Sequence, residues 1–243
     1  MPDVRIGCSG FSYSSWKGTF YPEKLARRKW LQHYCSVFST VELNVTFYRL
    51  PAPATFDKWY QETPRDFTFS LKGSRFITHV KRLSVKEESL DLFFNGALRL
   101  KEKLKVVLWQ FPPTFKINTE RLINFLRLLG DYPVRNTLEF RHESWITSDV
   151  IDICKEHNTG LCMADWPVFI DEIPVTSDFV YIRRHGEGGS YDTCYSKAAL
   201  RKDSKRIKDY LKDGKDVFIY FNNDACGYAP GNARELIDIL YEL

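Results

Sequence analysis

Hydrophobic residues recur along the chain in short runs rich in β-branched and aromatic side chains. Eight such runs have strand length, and their starts lie roughly 20 to 40 residues apart, the spacing of units in which a helix links two parallel strands. The pattern therefore predicts eight strands, at Val4–Cys8, Thr40–Leu43, Phe67–Leu71, Lys105–Gln110, Asn136–Phe140, Gly160–Ala164, Phe179–Arg183 and Val217–Phe221.

Helical patterns fill most of the intervals between these runs. Several open with a residue type that favours a helix start, either a proline in the first turn or a capping hydroxyl or amide. The predicted starts are Pro22, Asn118 or Thr119, Thr147 or Ser148, and Ser196. After strand two, Pro51–Glu62 is short, and after strand six, Trp166–Ser177 carries two prolines without a helical period. Weak or missing helices are predicted at both places.

No linker rich in glycine, serine and proline divides the chain, so residues 1–243 are predicted to form a single domain. The length suits one α/β barrel. An open, doubly wound sheet is the main alternative, but eight strands with helical patterns up to the last residue fit a closed barrel better. The predicted fold class is therefore α/β, a (β/α)8 TIM barrel.

Polar residues gather where the predicted strands end. Side chains alternate sides along a strand, and the inward-facing set finishes with polar or ionisable residues on most strands. Because active sites of this architecture lie at the C-terminal face, the pattern predicts a charged pocket there. The residues concerned are Glu42, Asn44, Lys72, Gln110, Glu139, Arg141, Asp165, Arg183, His185, Tyr220 and Asn222.

These residue types point to an anion receptor with acid–base chemistry. Lysine and arginine side chains bind carboxylate or phosphate oxygens, and buried carboxylates can transfer protons. The predicted anion-binding residues are Lys72, Arg141 and Arg183, and the predicted catalytic residues are Glu42, Glu139 and Asp165. Further predicted substrate-binding residues are Gln110, His142, His185, Asn222 and Asn223. The competing interpretation is a structural network in which these charges neutralise one another.

A metal centre is possible at the same face but is not favoured. His79, His142 and His185 follow strands three, five and seven, and histidine with carboxylate is a common ligand set. No spacing forces them together, however, and the neighbouring arginines would repel a cation. No metal ligand is therefore predicted. The glycines of 185–189 match no nucleotide-coenzyme motif, so the cofactor stays unknown.

Composition and charge narrow the class of partner. The net charge is +4, which suits anionic ligands but falls short of a dedicated nucleic-acid binder. The six cysteines form no C-x-x-C pair, and the beginning of the chain carries no export signal. The longest apolar runs have strand length, too short to span a membrane. The expected setting is cytoplasmic, with no membrane contact and an undetermined oligomeric state.

Several motifs resemble one known family in order along nearly the whole chain. They are Gly7-Cys8-Ser9-Gly10, Val41-Glu42-Leu43-Asn44, Trp109-Gln110-Phe111-Pro112-Pro113, Glu139-Phe140-Arg141-His142, Tyr181-Ile182-Arg183 with His185-Gly186, and Phe221-Asn222-Asn223-Asp224. The sequence resembles the YecE-like family, also called domain of unknown function 72. The resemblance implies a TIM barrel but no established activity. The fold it implies looks like that of endonuclease IV and xylose-isomerase-like barrels, which is analogy at the level of fold.

Three functions stay open from the sequence. The leading hypothesis is an enzyme, a hydrolase of phosphoesters or an isomerase, that binds a phosphate- or carboxylate-bearing molecule and uses the carboxylates as acid and base. The second is a nucleic-acid-binding protein or an endonuclease IV-like phosphoesterase that uses a basic rim with aromatic residues. The third is a sugar isomerase or epimerase.

Overall fold

Eight parallel strands form a closed barrel in the computed structural model, which describes residues 2–165 and 173–242. Each strand pairs with the next one along the chain, and β1 pairs with β8 to close the ring, with Val4 opposite Val217 and Cys8 opposite Phe221. The strands are β1 (Val4–Ser9), β2 (Thr40–Leu43), β3 (Thr68–Lys72), β4 (Leu104–Gln110), β5 (Arg135–Glu139), β6 (Gly160–Ala164), β7 (Phe179–Arg184) and β8 (Asp216–Phe221). The predicted TIM barrel is confirmed.

Helices surround the barrel and connect its strands. They are α1 (Trp30–Cys35), α2 (Val45–Tyr48), α3 (Pro53–Glu62), α4 (Glu87–Ala97), α5 (Thr119–Leu129), α6 (Ser148–Glu156), α7 (Lys197–Lys212) and α8 (Ala229–Tyr241). Three predicted caps are confirmed, because the side chains of Asn118, Thr147 and Ser196 each accept a backbone N–H of the first helical turn. No helix of the described residues is long and apolar enough to cross a membrane.

The prediction of a weak or missing helix after strand two is wrong. Pro53 occupies the first turn of α3, a helix of ten residues, where its missing N–H leaves no bond unmade. Phe56 of α3 is fully buried and packs against Gly96 of α4, where a side chain would collide with the Phe56 ring. Packing against a neighbouring helix therefore stabilises a segment whose own helical pattern is weak.

Two other predicted elements have different outcomes. The helix expected from Pro22 begins only at Trp30. Residues Pro22 to Leu25 form a turn instead. The Leu25 carbonyl accepts the indole N–H of Trp30, and the Trp30 ring stacks on Tyr21. Of the connection after strand six, residues 166–172 lie outside the described part of the chain, so the prediction of a missing helix there is untested.

The barrel interior changes from apolar to polar along its axis. A cluster of buried side chains from β4, β6, β7 and β8 fills the lower part, including Tyr181, Phe218 and Tyr220. The Tyr220 hydroxyl lies 2.8 Å from Oγ1 of Thr40 and 2.9 Å from Oγ of Ser70. Because alternate residues of a strand face inward, the residues two positions after these tyrosines, Arg183 and Asn222, carry the interior towards the C-terminal mouth. A second, larger core lies between the strands and the helices.

Candidate functional site

Arg183 lies at the centre of a buried charged network near the C-terminal ends of the strands. Its guanidinium donates to Glu42 through Nη2 at 2.8 Å and Nε at 3.1 Å, and to Oε2 of Glu139 through Nη1 at 2.8 Å. Tyr181 donates its hydroxyl to Glu42 at 2.7 Å. All four side chains are almost fully buried, with Arg183 1% exposed. The strand alternation that places Tyr181 inside the barrel places Arg183 one layer higher.

Glu139 has two further partners, one just beyond the end of its own strand β5 and one at the end of β4. Arg141 forms an ion pair with Oε1 of Glu139, and Gln110 donates its amide N–H to the same oxygen at 2.9 Å. Burial alone would raise the pKa of Glu42 and Glu139. The Arg183 guanidinium instead holds the pKa of Glu42 below its ordinary value, and Arg141 and Arg183 together do the same for Glu139. Both carboxylates are therefore ionised at neutral pH.

His185 completes the network as a neutral ring. It is fully buried, and burial together with the Arg183 charge lowers its pKa. Its Nε2 lies 3.1 Å from Nη2 of Arg141, and its Nδ1 lies 3.0 Å from the side-chain amide of Asn222. A guanidinium only donates, so Nε2 of His185 accepts a hydrogen bond from Arg141.

Lys72 lies apart from the carboxylates. It ends β3, is 8% exposed, and places its ammonium 4.2 Å from the centre of the Phe47 ring. Within residues 2–165 and 173–242, its ammonium has no carboxylate within 4.0 Å and makes no hydrogen bond. Burial, and next the charge of Arg183, lowers the pKa of Lys72 to about 8. A buried cation without a counter-ion costs stability, which makes Lys72 a candidate for binding an anion.

A cavity of about 560 Å³ opens beside Lys72 at the C-terminal mouth. Its described lining contains three cationic side chains and no acidic one; the residues are Tyr13, Asn44, Phe47, Tyr48, Lys72, Arg75, His79, Gln110, Arg183, Tyr191 and Asn222. His79 lies in a single π-helical turn, Phe76–Val80, of the kind that recurs at functional sites. Burial and the charges of Lys72 and Arg75 lower its pKa to about 4. His79 is thus neutral at pH 7, and the cavity wall is positive.

Three predicted site residues do not join the network or the cavity lining. Asp165 lies behind His185, whose backbone N–H donates to it at 2.8 Å, and it also accepts the Tyr195 hydroxyl. His142 accepts the Ser144 backbone N–H at 3.1 Å and so stabilises its own turn. Asn223 donates at 2.8 Å to the Thr193 carbonyl and thereby joins the loops after β7 and β8. These contacts hold loops in place, so the predicted catalytic role of Asp165 and binding roles of His142 and Asn223 have no geometric support.

Sequence reasoning missed Asp224, although it ends the Phe221-Asn222-Asn223-Asp224 motif. Both of its carboxylate oxygens are buried without a well-formed hydrogen bond among the described residues, although the nearby Trp16 and Tyr13 side chains partly stabilise its charge. Burial raises the pKa of Asp224 well above its ordinary value, and the Glu42 charge raises it further. Its position two residues beyond Asn222 in a strand-end motif was the available signal. Asn44 and His79 were noted in the sequence, but neither was assigned a binding role.

The described residues contain no group of three or more histidine, cysteine, aspartate or glutamate side chains that could hold a metal ion. Glu42 and Glu139, the two carboxylates of the network, already bind arginines. The donor set at this mouth therefore suits an anion better than a cation.

The sequence profile of a family described as "Protein of unknown function DUF72" matches residues 5–242. The chain belongs to the DUF72 family. This confirms the resemblance found in the strand-end motifs. Among curated relatives, the UPF0759 protein YunF of Bacillus subtilis is 29% identical over 272 aligned positions, which cover 98% of this chain and 94% of YunF. The UPF0759 protein YecE of Escherichia coli K12 is 31% identical over 85 residues, 35% of this chain and 31% of YecE.

Solved structures agree with this assignment. A DUF72 family protein from Thermotoga maritima superposes with a TM-score of 0.85 at 31% identity, covering 98% of this chain and 99% of the other. A DUF72 family protein from Enterococcus faecalis has a TM-score of 0.79 at 23% identity, with coverage of 99% and 98%. A D-psicose 3-epimerase has a TM-score of 0.59 at 9% identity, covering 98% and 96%, which shows a shared barrel fold only.

Proposed function

We propose that this protein is an enzyme that acts on a small phosphate- or carboxylate-bearing molecule, which it binds in the cavity beside Lys72. The observation that carries the proposal is Lys72, a largely buried side chain whose ammonium makes no ion pair or hydrogen bond within the described residues. An anionic group in the cavity would supply a counter-ion. Arg75 on the same wall adds a second positive charge.

The fold favours catalysis over passive binding, because enzymes built on this barrel carry their active sites at the same face. The DUF72 barrel also resembles the folds of known enzymes, among them the epimerase. This support is at the level of fold, and the reaction itself is inferred only as one on an anionic substrate.

Within this proposal, Glu42 and Glu139 position Arg183, which lines the cavity floor. Proton transfer by either carboxylate has less support, because a general base works best with a pKa near the working pH and both pKa values are lowered. The network instead holds the Arg183 guanidinium in one orientation. Its charge is largely compensated, which leaves Lys72 and Arg75 as the main anion-binding groups.

Calorimetric titration of the purified protein with inorganic phosphate tests the proposal. Lys72→Met should weaken phosphate binding about 10- to 100-fold, the usual effect of losing one charged hydrogen-bond partner. Lys197→Met is the matched control, because Lys197 is 68% exposed on α7 and its removal changes the net charge equally. Equal phosphate affinity in the wild type and Lys72→Met would refute the proposed binding site.

The nucleic-acid alternative predicts a different result. A basic platform for DNA or RNA would show affinity that falls steeply with salt and would lose it gradually as surface lysines are removed. The proposal predicts instead that Lys72→Met weakens phosphate binding and that Lys197→Met leaves it unchanged. Binding of single-stranded DNA that is equally reduced by both substitutions would favour the alternative.

A further inference from the structure

A second cavity, of about 370 Å³, adjoins the charged one. Its walls are mainly apolar and include Phe11, Leu43, Val45 and Trp59. The one charged side chain among its described lining, Arg27, donates to Oγ of Ser12 at 3.2 and 3.1 Å and lies over the Trp30 ring. This second cavity therefore offers an apolar surface next to a positively charged one.

Tyr13 and Asn44 line both cavities and so mark the boundary between them. The Tyr13 hydroxyl is already used, because it donates to the Ser9 carbonyl at 2.6 Å. The side-chain amide of Asn44 makes no hydrogen bond within residues 2–165 and 173–242, and its Oδ1 is buried. Asn44 is only partly buried, so a polar group of a ligand that crosses this boundary can form a hydrogen bond with its amide.

We propose that the ligand is an amphipathic anion, with its phosphate or carboxylate beside Lys72, a polar group at Asn44, and an aliphatic or aryl part in the second cavity. This inference rests on the proposed function, because it requires the anion to occupy the first cavity. A purely polar anion such as a small sugar phosphate would leave the apolar walls of the second cavity in contact with water. An attached apolar group removes them from water and adds affinity.

Alkyl phosphates of increasing length test the proposal directly. Inorganic, methyl, butyl and hexyl phosphate carry the same kind of head group but differ in apolar length. Each methylene group that is fully buried should strengthen binding about four-fold. Calorimetric titration should therefore show a dissociation constant that falls from methyl to butyl phosphate and then levels off once the chain fills the cavity.

A matched pair of variants locates the chain. Val45, 45% exposed on α2, contacts the second cavity, and Ile123, 44% exposed on α5, does not line it. Val45→Asn should reduce the gain per methylene while leaving the affinity for inorganic phosphate unchanged. Ile123→Asn should leave both unchanged. Circular dichroism of each variant checks that the barrel is intact.

The outcomes separate this inference from the proposed function. Phosphate binding that depends on Lys72 but does not strengthen with chain length would overturn the inference and leave the anion site in place. A chain-length effect that Val45→Asn preserves would also overturn it, because the chain would then bind elsewhere. If no phosphate in the series binds, both the inference and the proposed function fail.

Discussion

Replacing Arg183 with methionine should destabilise the protein strongly, because it leaves two buried carboxylates without their shared cation. The substitution keeps a long side chain, so the packing change is small. Glu139 would retain Arg141 and Gln110 as partners. Glu42 would retain the Tyr181 hydroxyl and lose both of its bonds to the guanidinium. Most of the cost therefore falls on Glu42.

The expected loss is about 3–5 kcal/mol in the free energy of unfolding at pH 7, the usual cost of removing one partner of a buried ion pair. In the wild type, the lowered pKa values mean that Glu42 and Glu139 contribute stability above their unfolded pKa, which is lost as the pH falls through the lower folded value. In the variant, burial of an unpaired Glu42 would raise its folded pKa instead. The difference between the two proteins should therefore shrink as the pH falls from 7 towards 4.5.

Urea denaturation followed by circular dichroism at pH 7 and pH 5 measures both effects. Arg99→Met is the control, because Arg99 pairs with Asp57 at 2.8 Å on the surface, where such a pair contributes about 0–1 kcal/mol. In the Arg183→Met background, Glu42→Gln should restore part of the lost stability. A cost of less than 1 kcal/mol at pH 7, or a double variant less stable than Arg183→Met, would refute the reasoning.

Three further predictions concern single residues. Lys72→Met should raise the free energy of unfolding by about 1–3 kcal/mol in phosphate-free buffer at pH 7, because it removes a buried cation whose pKa is lowered; a less stable variant in urea denaturation would contradict this. The wild type should lose stability as the pH rises above about 4, because the folded pKa of Asp224 lies above its unfolded value. Asp224→Asn should abolish this loss, and thermal melts of both proteins from pH 4 to 8 check it. Gly73→Ala should cost about 1–3 kcal/mol because its Cβ would overlap the Trp109 ring. Gly231→Ala is its control, since no atom lies within 4 Å of that added Cβ, and equal melting temperatures for the two would contradict the steric argument.

Much of the fold was predictable because a buried parallel strand carries a strong local signal. The runs Thr40–Leu43 and Gly160–Ala164 were predicted with the bounds that the structure has. Helix caps were predictable for the same reason, since a single side chain decides them. The helix α3 was not, because its stability depends on Phe56 packing against Gly96 of α4, a contact between residues far apart in sequence.

The candidate site was predictable as a set of residues but not as an arrangement. Strand alternation brought Glu42, Glu139 and Arg183 to one end of the barrel, and the structure joins them. Whether a cation forms an ion pair depends on distances of a few ångströms across the barrel, and these distances cannot be read from the sequence. For this reason Arg183 and Lys72 were predicted as equivalent, whereas their environments differ completely.

The pairing of β1 with β8 has a consequence for synthesis on the ribosome. Val4 and Val217, which face each other across this seam, are 213 residues apart. At about 5–20 residues per second, β1 is made roughly 10–40 s before its partner, so one of its edges waits unpaired for that time. An open edge is a template for pairing with another chain. The nascent protein therefore exposes an edge that is open to pairing with another chain until its last strand emerges.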